Sequence, residues 1–318
     1  MQIVQRRAIY FGISILLIVA GFVFMGINAA SGKGLFNFDV QFIGGTSMEF
    51  TLNGDFDNSK ITSIVSEVTG ESAPQVQKFT NGNKKGVAIK TKTLEQAQTD
   101  EIESKIKELY EVVGQPEIEN VSATVSGEMV RDSVVSVIIA CICMLIYVSI
   151  RFRDFAMGVS SILALVHDAL VVLCAYAVLR VPMNNSFIAA ILTVLGYSIN
   201  SSIVIFDRIR ENRTAVGRTH FAELANLSVK QTLTRSLFTS LTTFFTVACL
   251  YVWGVNSIKE FVLPIAVGIV AGTYSSVLIA PNIWVLIATA IQKKKNAAIP
   301  EQPKIGPGKK KKKKAAVQ

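Results

Sequence analysis

Six apolar stretches, at about residues 8–28, 130–150, 155–179, 185–206, 235–253 and 261–291, constrain this chain more than any other feature. Each reaches the roughly 20 residues a helix needs to cross a hydrocarbon core of about 30 Å, and the last, which is longer, is expected to tilt or extend beyond the bilayer. Surrounded by lipid, such segments must satisfy their own backbone hydrogen bonds, so each is expected to be a helix. Half of the 318 residues are hydrophobic and only 17% are charged, which excludes a secreted globule. The first stretch follows Gln5, Arg6 and Arg7 and is followed by Ala29-Ala30-Ser31, as a signal peptide would be. Its apolar run is longer than a usual signal core, so it is read as a retained span.

Arg and Lys orient the spans. Arg6 and Arg7, Arg151 and Arg153, the segment from Arg208 to Lys230 and the Lys-rich C-terminus all fall on one side under six crossings. The short opposite loops hold only Arg180 and Lys259, so both termini are expected in the cytoplasm. Four regions follow: a first span with its cytoplasmic N-terminus (1–28), an extracytoplasmic domain (29–128), the five-helix remainder of the bundle (129–291) and a basic tail (292–318). Much of the net charge of +9 lies in Lys293–Lys295 and Lys309–Lys314. With Pro300, Pro303 and Pro307 the tail is expected to be disordered. Anionic lipid and topology retention account for it more generally than phosphate binding does, so no nucleic acid is expected as a partner.

The outside region has two copies of one rhythm. Residues 46–52 alternate like a strand, and 58–69 carry Ile61, Ile64, Val65 and Val68 at helical spacing. Strands are then expected at 76–80 and 86–91 around Asn81-Gly82-Asn83, a helix at 94–112 and a closing strand at 118–125. The fold class is thus an α-helical polytopic membrane protein with six transmembrane helices and an inserted α+β domain of ferredoxin-like βαββαβ order. The domain lacks His, Cys and a Gly-rich phosphate loop, so a binding or force-bearing module is expected, not an enzyme, and no cofactor or metal. Cys141, Cys143, Cys174 and Cys249 all fall inside spans and are expected to be small buried hydrophobes.

Chemistry is expected where ionisable or polar groups sit at membrane depth. Asp168 lies near the middle of the third span beside His167. A carboxylate there costs several kcal/mol unless it is paired, hydrated or protonated. It is either a group that takes up and releases protons or one that only bonds neighbouring helices. Ser198, Asn200, Ser201 and Ser202 in the fourth span should face other helices or a wet cavity. Arg235 enters the fifth span, where it reads as a snorkelling interfacial residue or as a countercharge. Gly268 and Gly272 form a G-x-x-x-G that permits close helix contact, and Pro264 and Pro281 are expected to kink the last span near its ends.

Five motifs carry a resemblance. They are Phe42-Ile43-Gly44-Gly45-Thr46, Val166-His167-Asp168, Gly196-Tyr197-Ser198-Ile199-Asn200 running on to Phe206-Asp207-Arg208-Ile209-Arg210-Glu211-Asn212, Gln231-Thr232-Leu233-Thr234-Arg235-Ser236 and Gly272-Thr273-Tyr274-Ser275-Ser276. In this order and topology they resemble the SecF family of the bacterial protein-export machinery, over the whole chain except the Lys tail. The resemblance implies a six-span protein of the resistance-nodulation-division class that pairs with SecD and associates with the SecYEG channel. It further implies use of the proton or sodium gradient to help move a translocating polypeptide, with no nucleotide. The family usually has Asp after the Asn of the fourth-span motif, where this chain has Ser201. A hydroxyl there relays a hydrogen bond but holds no charge near neutral pH. The ion step is then expected at Asp168, tuned by His167, with Arg235 as countercharge and Asn200, Ser201 and Ser202 lining a polar seam, or on SecD with this half mainly structural. The alternative is a half-size exporter of small molecules or lipids on the same membrane fold.

Overall fold

A computed structural model describes residues 2–32, 34–71, 74–81, 84–152, 154–217 and 219–297. After a 3-10 turn, Val4–Arg6, the chain enters helix α1, Arg7–Ala30, then a short strand β1, Asn37–Phe38, and one turn of helix α2, Val40–Ile43. The α+β unit follows as β2 (Gly45–Leu52), α3 (Asn58–Thr69), β3 (Gln75–Asn81), β4 (Lys84–Thr91), α4 (Gln96–Leu109) and β5 (Glu117–Val121). The remaining bundle is α5 (Ala123–Phe152), α6 (Phe155–Leu179), a two-residue β6 (Pro182–Met183), α7 (Asn185–Val216), α8 (Phe221–Trp253), α9 (Asn256–Tyr274), a π-helical turn (Ser275–Ile279) and α10 (Ala280–Ala297). Among the described residues, six helical segments are long and apolar enough to cross a membrane.

The sheet runs β3-β4-β2-β5 with every neighbour antiparallel, the strand order of a split βαβ layer. Alternation along β2 and β4 sends Met48, Phe50, Leu52, Val87 and Ile89 to one face, where Ile61 and Val65 of α3 and Ile102 and Ile106 of α4 seal them. Local chemistry sets the helix ends. Asp57 accepts from the Ser59 amide at 2.9 Å to start α3, Gly70 at φ 68° ends it, and Glu95 with Gln98 forms a capping box on α4. The opposite face of the sheet is polar. It borders a 590 Å³ cavity reached also by Asn184 and Glu260 at the ends of the bundle helices.

Gly44 and Gly45 make the join between α2 and β2. Gly44 has φ 76° and Gly45 has φ 132°, and a Cβ on Gly45 would lie 2.3 Å from the Thr91 carbonyl oxygen. Only glycine fits so close a backbone approach. Beside this join β1 pairs in parallel with β6, and Gln41 donates to Glu119 at 2.7 Å while accepting from the Asn185 amide at 2.9 Å. The α+β unit is thereby tied to the bundle through α2.

Several boundaries differ from the expected ones because hydropathy marks where lipid begins, whereas helices continue as long as their backbone and partners allow. The fifth span was expected from 235, yet α8 begins at Phe221, with Leu224, Ala225, Ser228 and Val229 buried. Likewise α7 runs to Val216, ten residues past the expected 206, and Asn212 donates to Ser228 at 2.8 Å across the α7–α8 turn. The closing strand ends at Val121 rather than 125, and α5 starts at Ala123, inside the region assigned to the domain. Residues 292–297 of the expected disordered tail are helical and carry Lys293–Lys295; the rest of the tail, from 298, lies outside the described residues, as do Gly82 and Asn83 of the expected turn and Arg153. Of the cysteines only Cys174 is buried. Cys141, Cys143 and Cys249 are exposed on outward faces, where lipid serves as well as a protein core.

The π turn has a local cause. Pro281 has no N–H for the carbonyl four residues back, and the Ala280 amide donates instead to the Ser275 carbonyl, five residues back.

Candidate functional site

Asp168 is fully buried, halfway along α6. Its position on the inward face follows from helical spacing: Leu165, Asp168, Val172 and Tyr176 recur every three or four residues, and all are buried. Three helical segments bring it partners. His167 Nδ1 lies 2.9 Å from Oδ1, while Oδ2 accepts hydrogen bonds from the Ser198 hydroxyl of α7 and, at 2.8 Å, the Ser275 hydroxyl of the π turn. No Lys or Arg is bonded to this carboxylate among the described residues. Hydrogen bonds alone hold the charge, each charge-assisted and stronger than a neutral pair.

Close packing makes these contacts reachable. A Cβ added to Gly268 would meet Val194 at 2.2 Å, and one added to Gly272 would meet the Ser198 Cβ at 3.0 Å. The G-x-x-x-G face of α9 therefore lies against α7 and sets Ser198 and Ser275 on either side of Asp168. Ser275 has a second acceptor, the Gly272 carbonyl at 3.3 Å.

His167 is held on its other side as well. Nε2 lies 3.0 Å from the hydroxyl of Ser14 on α1, and the ring stacks on Tyr274 with centroids 6.1 Å apart at 26°. Tyr274 donates to the Tyr10 carbonyl at 2.7 Å. Ser14 was not among the residues singled out from the sequence. One sequence signal points to it: a hydroxyl at membrane depth in an otherwise apolar span needs a partner.

The other expected site residues are dispersed. Ser202 lies one turn below Ser198 on the same face of α7, is 1% exposed, and its hydroxyl has no partner among the described residues. Ser201 is half-buried and makes no bond to Asp168; Asn200 is exposed on another face of α7. An i, i+4 pair shares a helix face and an i, i+2 pair does not, so Ser198 with Ser202 form the inward seam and Asn200 falls outside it. Arg235 is exposed on α8 and the described residues give it no ion pair, so within this chain it is no countercharge for Asp168. What α8 does offer the bundle is Ser240, which accepts from Tyr197 at 3.1 Å and from Thr273 at 2.7 Å.

The chemistry open to this site is limited. A buried carboxylate with three hydrogen-bond donors and no nucleophile or oxyanion pair can bind and release a small cation or proton. Among the described residues no cluster has the make-up of a metal site.

Comparison with known proteins adds to this geometry. A family model described as "Protein export membrane protein SecD/SecF, C-terminal" matches residues 101–290. Among relatives, the chain is 33% identical over 281 residues to the protein translocase subunit SecF of Dictyoglomus turgidum, covering 87% of this chain and 93% of that protein. It is 33% identical over 261 residues to the SecF subunit of Helicobacter pylori, covering 81% and 80%. The crystal structure of SecDF from Thermus thermophilus, a translocon-associated membrane protein, superimposes with a TM-score of 0.78 at 30% identity, covering 93% of this chain. This chain spans 39% of the length of that SecDF chain.

Proposed function

Since the chain belongs to the SecD/SecF family of protein-export membrane proteins, as a SecF-type translocase subunit, we propose that it acts together with SecD. In this reading it uses the proton or sodium gradient to assist movement of a translocating polypeptide at the SecYEG channel. The observation that carries the ion step is the placement of Asp168, fully buried in the bundle and held by hydroxyls from two neighbouring segments and by the imidazole of the adjacent His167. Burial of a carboxylate without a fixed cation is costly, and binding a proton or sodium relieves that cost. Export itself requires no cofactor and no catalytic chemistry on this chain.

The positive-inside distribution supports cytoplasmic termini and an outer α+β unit, which then contacts the emerging polypeptide or the outer part of SecD. Exposed faces of α1 and α5, rich in Ile, Leu, Val and Phe, suit membrane lipid. Arg235, Asn200 and Ser201 lie on exposed or half-exposed faces of α7 and α8. Polar groups at membrane depth need protein or water beside them, which supports a second helical bundle, that of SecD, against this side. Copurification from native membranes and crosslinking of the outer unit in cells test the assignment. A SecD-like partner and a trapped polypeptide are expected; a trapped small molecule or lipid with no polypeptide would overturn it in favour of a small-molecule exporter.

A further inference from the structure

Helix α1 is largely exposed, yet it touches α6 at a regular interval. Ser14 meets His167 at 3.0 Å. Gly21 leaves no room for a side chain, since a Cβ there would lie 2.2 Å from Cys174 Sγ, and the thiol itself lies 3.7 Å from the Ile18 carbonyl. Asn28 donates to the Ala177 carbonyl at 2.9 Å. Positions 14, 21 and 28 are seven apart, as are 167 and 174 on the partner helix. The first two contacts follow the seven-residue repeat of a left-handed seam between helices running in the same direction, and the third falls at Ala177, three residues past Cys174. The imidazole of His167 is therefore held at its edge by Ser14 of α1 and on its face by Tyr274 of α9, which is itself bonded to the Tyr10 carbonyl of α1.

We propose that Ser14 is a positioning residue for the ion step, fixing the aim of His167 toward Asp168 and coupling α1 to the state of that carboxylate. The inference rests on the reading that Asp168 carries the ion step. An ionised carboxylate only accepts hydrogen bonds, so the ring nitrogen facing it, Nδ1, bears the proton. A neutral ring then accepts at Nε2, and the Ser14 hydroxyl is the donor. Loss of negative charge at Asp168 removes the demand for Nδ1–H, and the hydrogen bond between Ser14 and the ring is free to reverse. The groups that face the His167–Asp168 pair are Ser14 from α1, Ser198 from α7, Tyr274 from α9 and Ser275 from the π turn. None of these carries a charge near neutral pH. From Ala30 the chain passes within a few residues into β1, so α1 joins the buried pair to the outer α+β unit.

The chain has only two histidines, so a nitrogen-15 histidine spectrum of the full-length protein in bilayers, with His220→Gln to remove the other ring, reads His167 alone. The wild-type ring is expected as the Nδ1–H tautomer. Ser14→Ala should shift the Nε2 resonance, which loses its hydrogen-bond donor, and broaden the ring signals, and Ser14→Thr, which keeps the hydroxyl, should restore them. A wild-type ring protonated on Nε2, or a Ser14→Ala spectrum identical to wild type, would overturn the proposal, the first without needing any variant at position 14. Failure of the underlying reading is separable: Asp168→Asn with undiminished export removes the ion step from this site whatever the spectrum shows.

Discussion

Gly272 packs so closely on Ser198 that a Cβ on the glycine would lie 3.0 Å from the serine Cβ and 3.1 Å from its hydroxyl oxygen. That contact holds the Ser198 hydroxyl against Asp168 on the adjacent helix. Helix–helix distance in this bundle is therefore part of the site's chemistry, since Ser198 and Ser275 reach one carboxylate oxygen from two different segments.

Gly268 is the stricter of the two glycines. Gly268→Ala would place a methyl 2.2 Å from the stiff, β-branched Val194, at an expected cost of about 1–3 kcal/mol. Thermal unfolding of the purified protein should show the loss, and Val194→Ala in the same chain should recover most of it. An additive double mutant would mean that α7 and α9 do not pack through this pair.

Asp168→Asn keeps the size of the side chain and removes its charge. Export is expected to fall steeply while the amount of protein in the membrane stays unchanged. Asp168→Leu should reduce the amount as well, because Ser198, Ser275 and His167 then lose their shared acceptor in a dry site. Membrane immunoblots beside an export assay read both effects.

Asp154 anchors the start of α6. Its carboxylate accepts from the Ala156 and Met157 amides at 3.0 and 3.3 Å and pairs with Arg213 of α7 at 2.6 Å. Asp154→Ala removes the cap at a cost of about 1–2 kcal/mol, and Asp154→Asn, which caps without the charge, should recover about half. Chemical denaturation in detergent is the measurement.

Glu49 provides a pH signature of the α+β unit. Burial, then the nearby carboxylates Glu117 and Asp39, push its pKa above the ordinary 4.5, against the opposing effect of Lys90. Between 4.5 and the raised value the folded chain binds more proton here than the unfolded chain does, so this residue's contribution to stability rises as pH falls through that window. Glu49→Gln is expected to slow hydrogen exchange of the β2 amides at neutral pH, with the advantage shrinking as pH is lowered. An advantage constant with pH would assign the effect to something other than this charge.

Much of the architecture was legible in the residues. Six long apolar runs admit few structures other than spanning helices, and period-2 and period-3.6 patterns between residues 46 and 121 spelled out the split βαβ order, down to the same limits for α3. The site was legible only in part. Asp168 and His167 stood out because ionisable groups are rare at that depth, yet the i, i+2 spacing of Ser198 and Asn200 meant that only one could face inward, and hydropathy does not say which. Arg235 had two readings, a snorkelling interfacial residue and a countercharge, and in the fold it is exposed on α8, away from Asp168.

The sequence by itself determined which segments enter lipid and which form the α+β unit, because transfer free energy and backbone periodicity are local properties summed over a dozen or more neighbours. Tertiary structure alone decided what meets the His167–Asp168 pair: Ser14 reaches the ring from 153 residues away, and Ser198 and Ser275 reach the carboxylate from 30 and 107. Their meeting depends on glycines that let helices approach, on a π turn displaced by a proline and on a seven-residue seam between α1 and α6. Such contacts are set by the mutual fit of surfaces, which no single stretch of residues encodes.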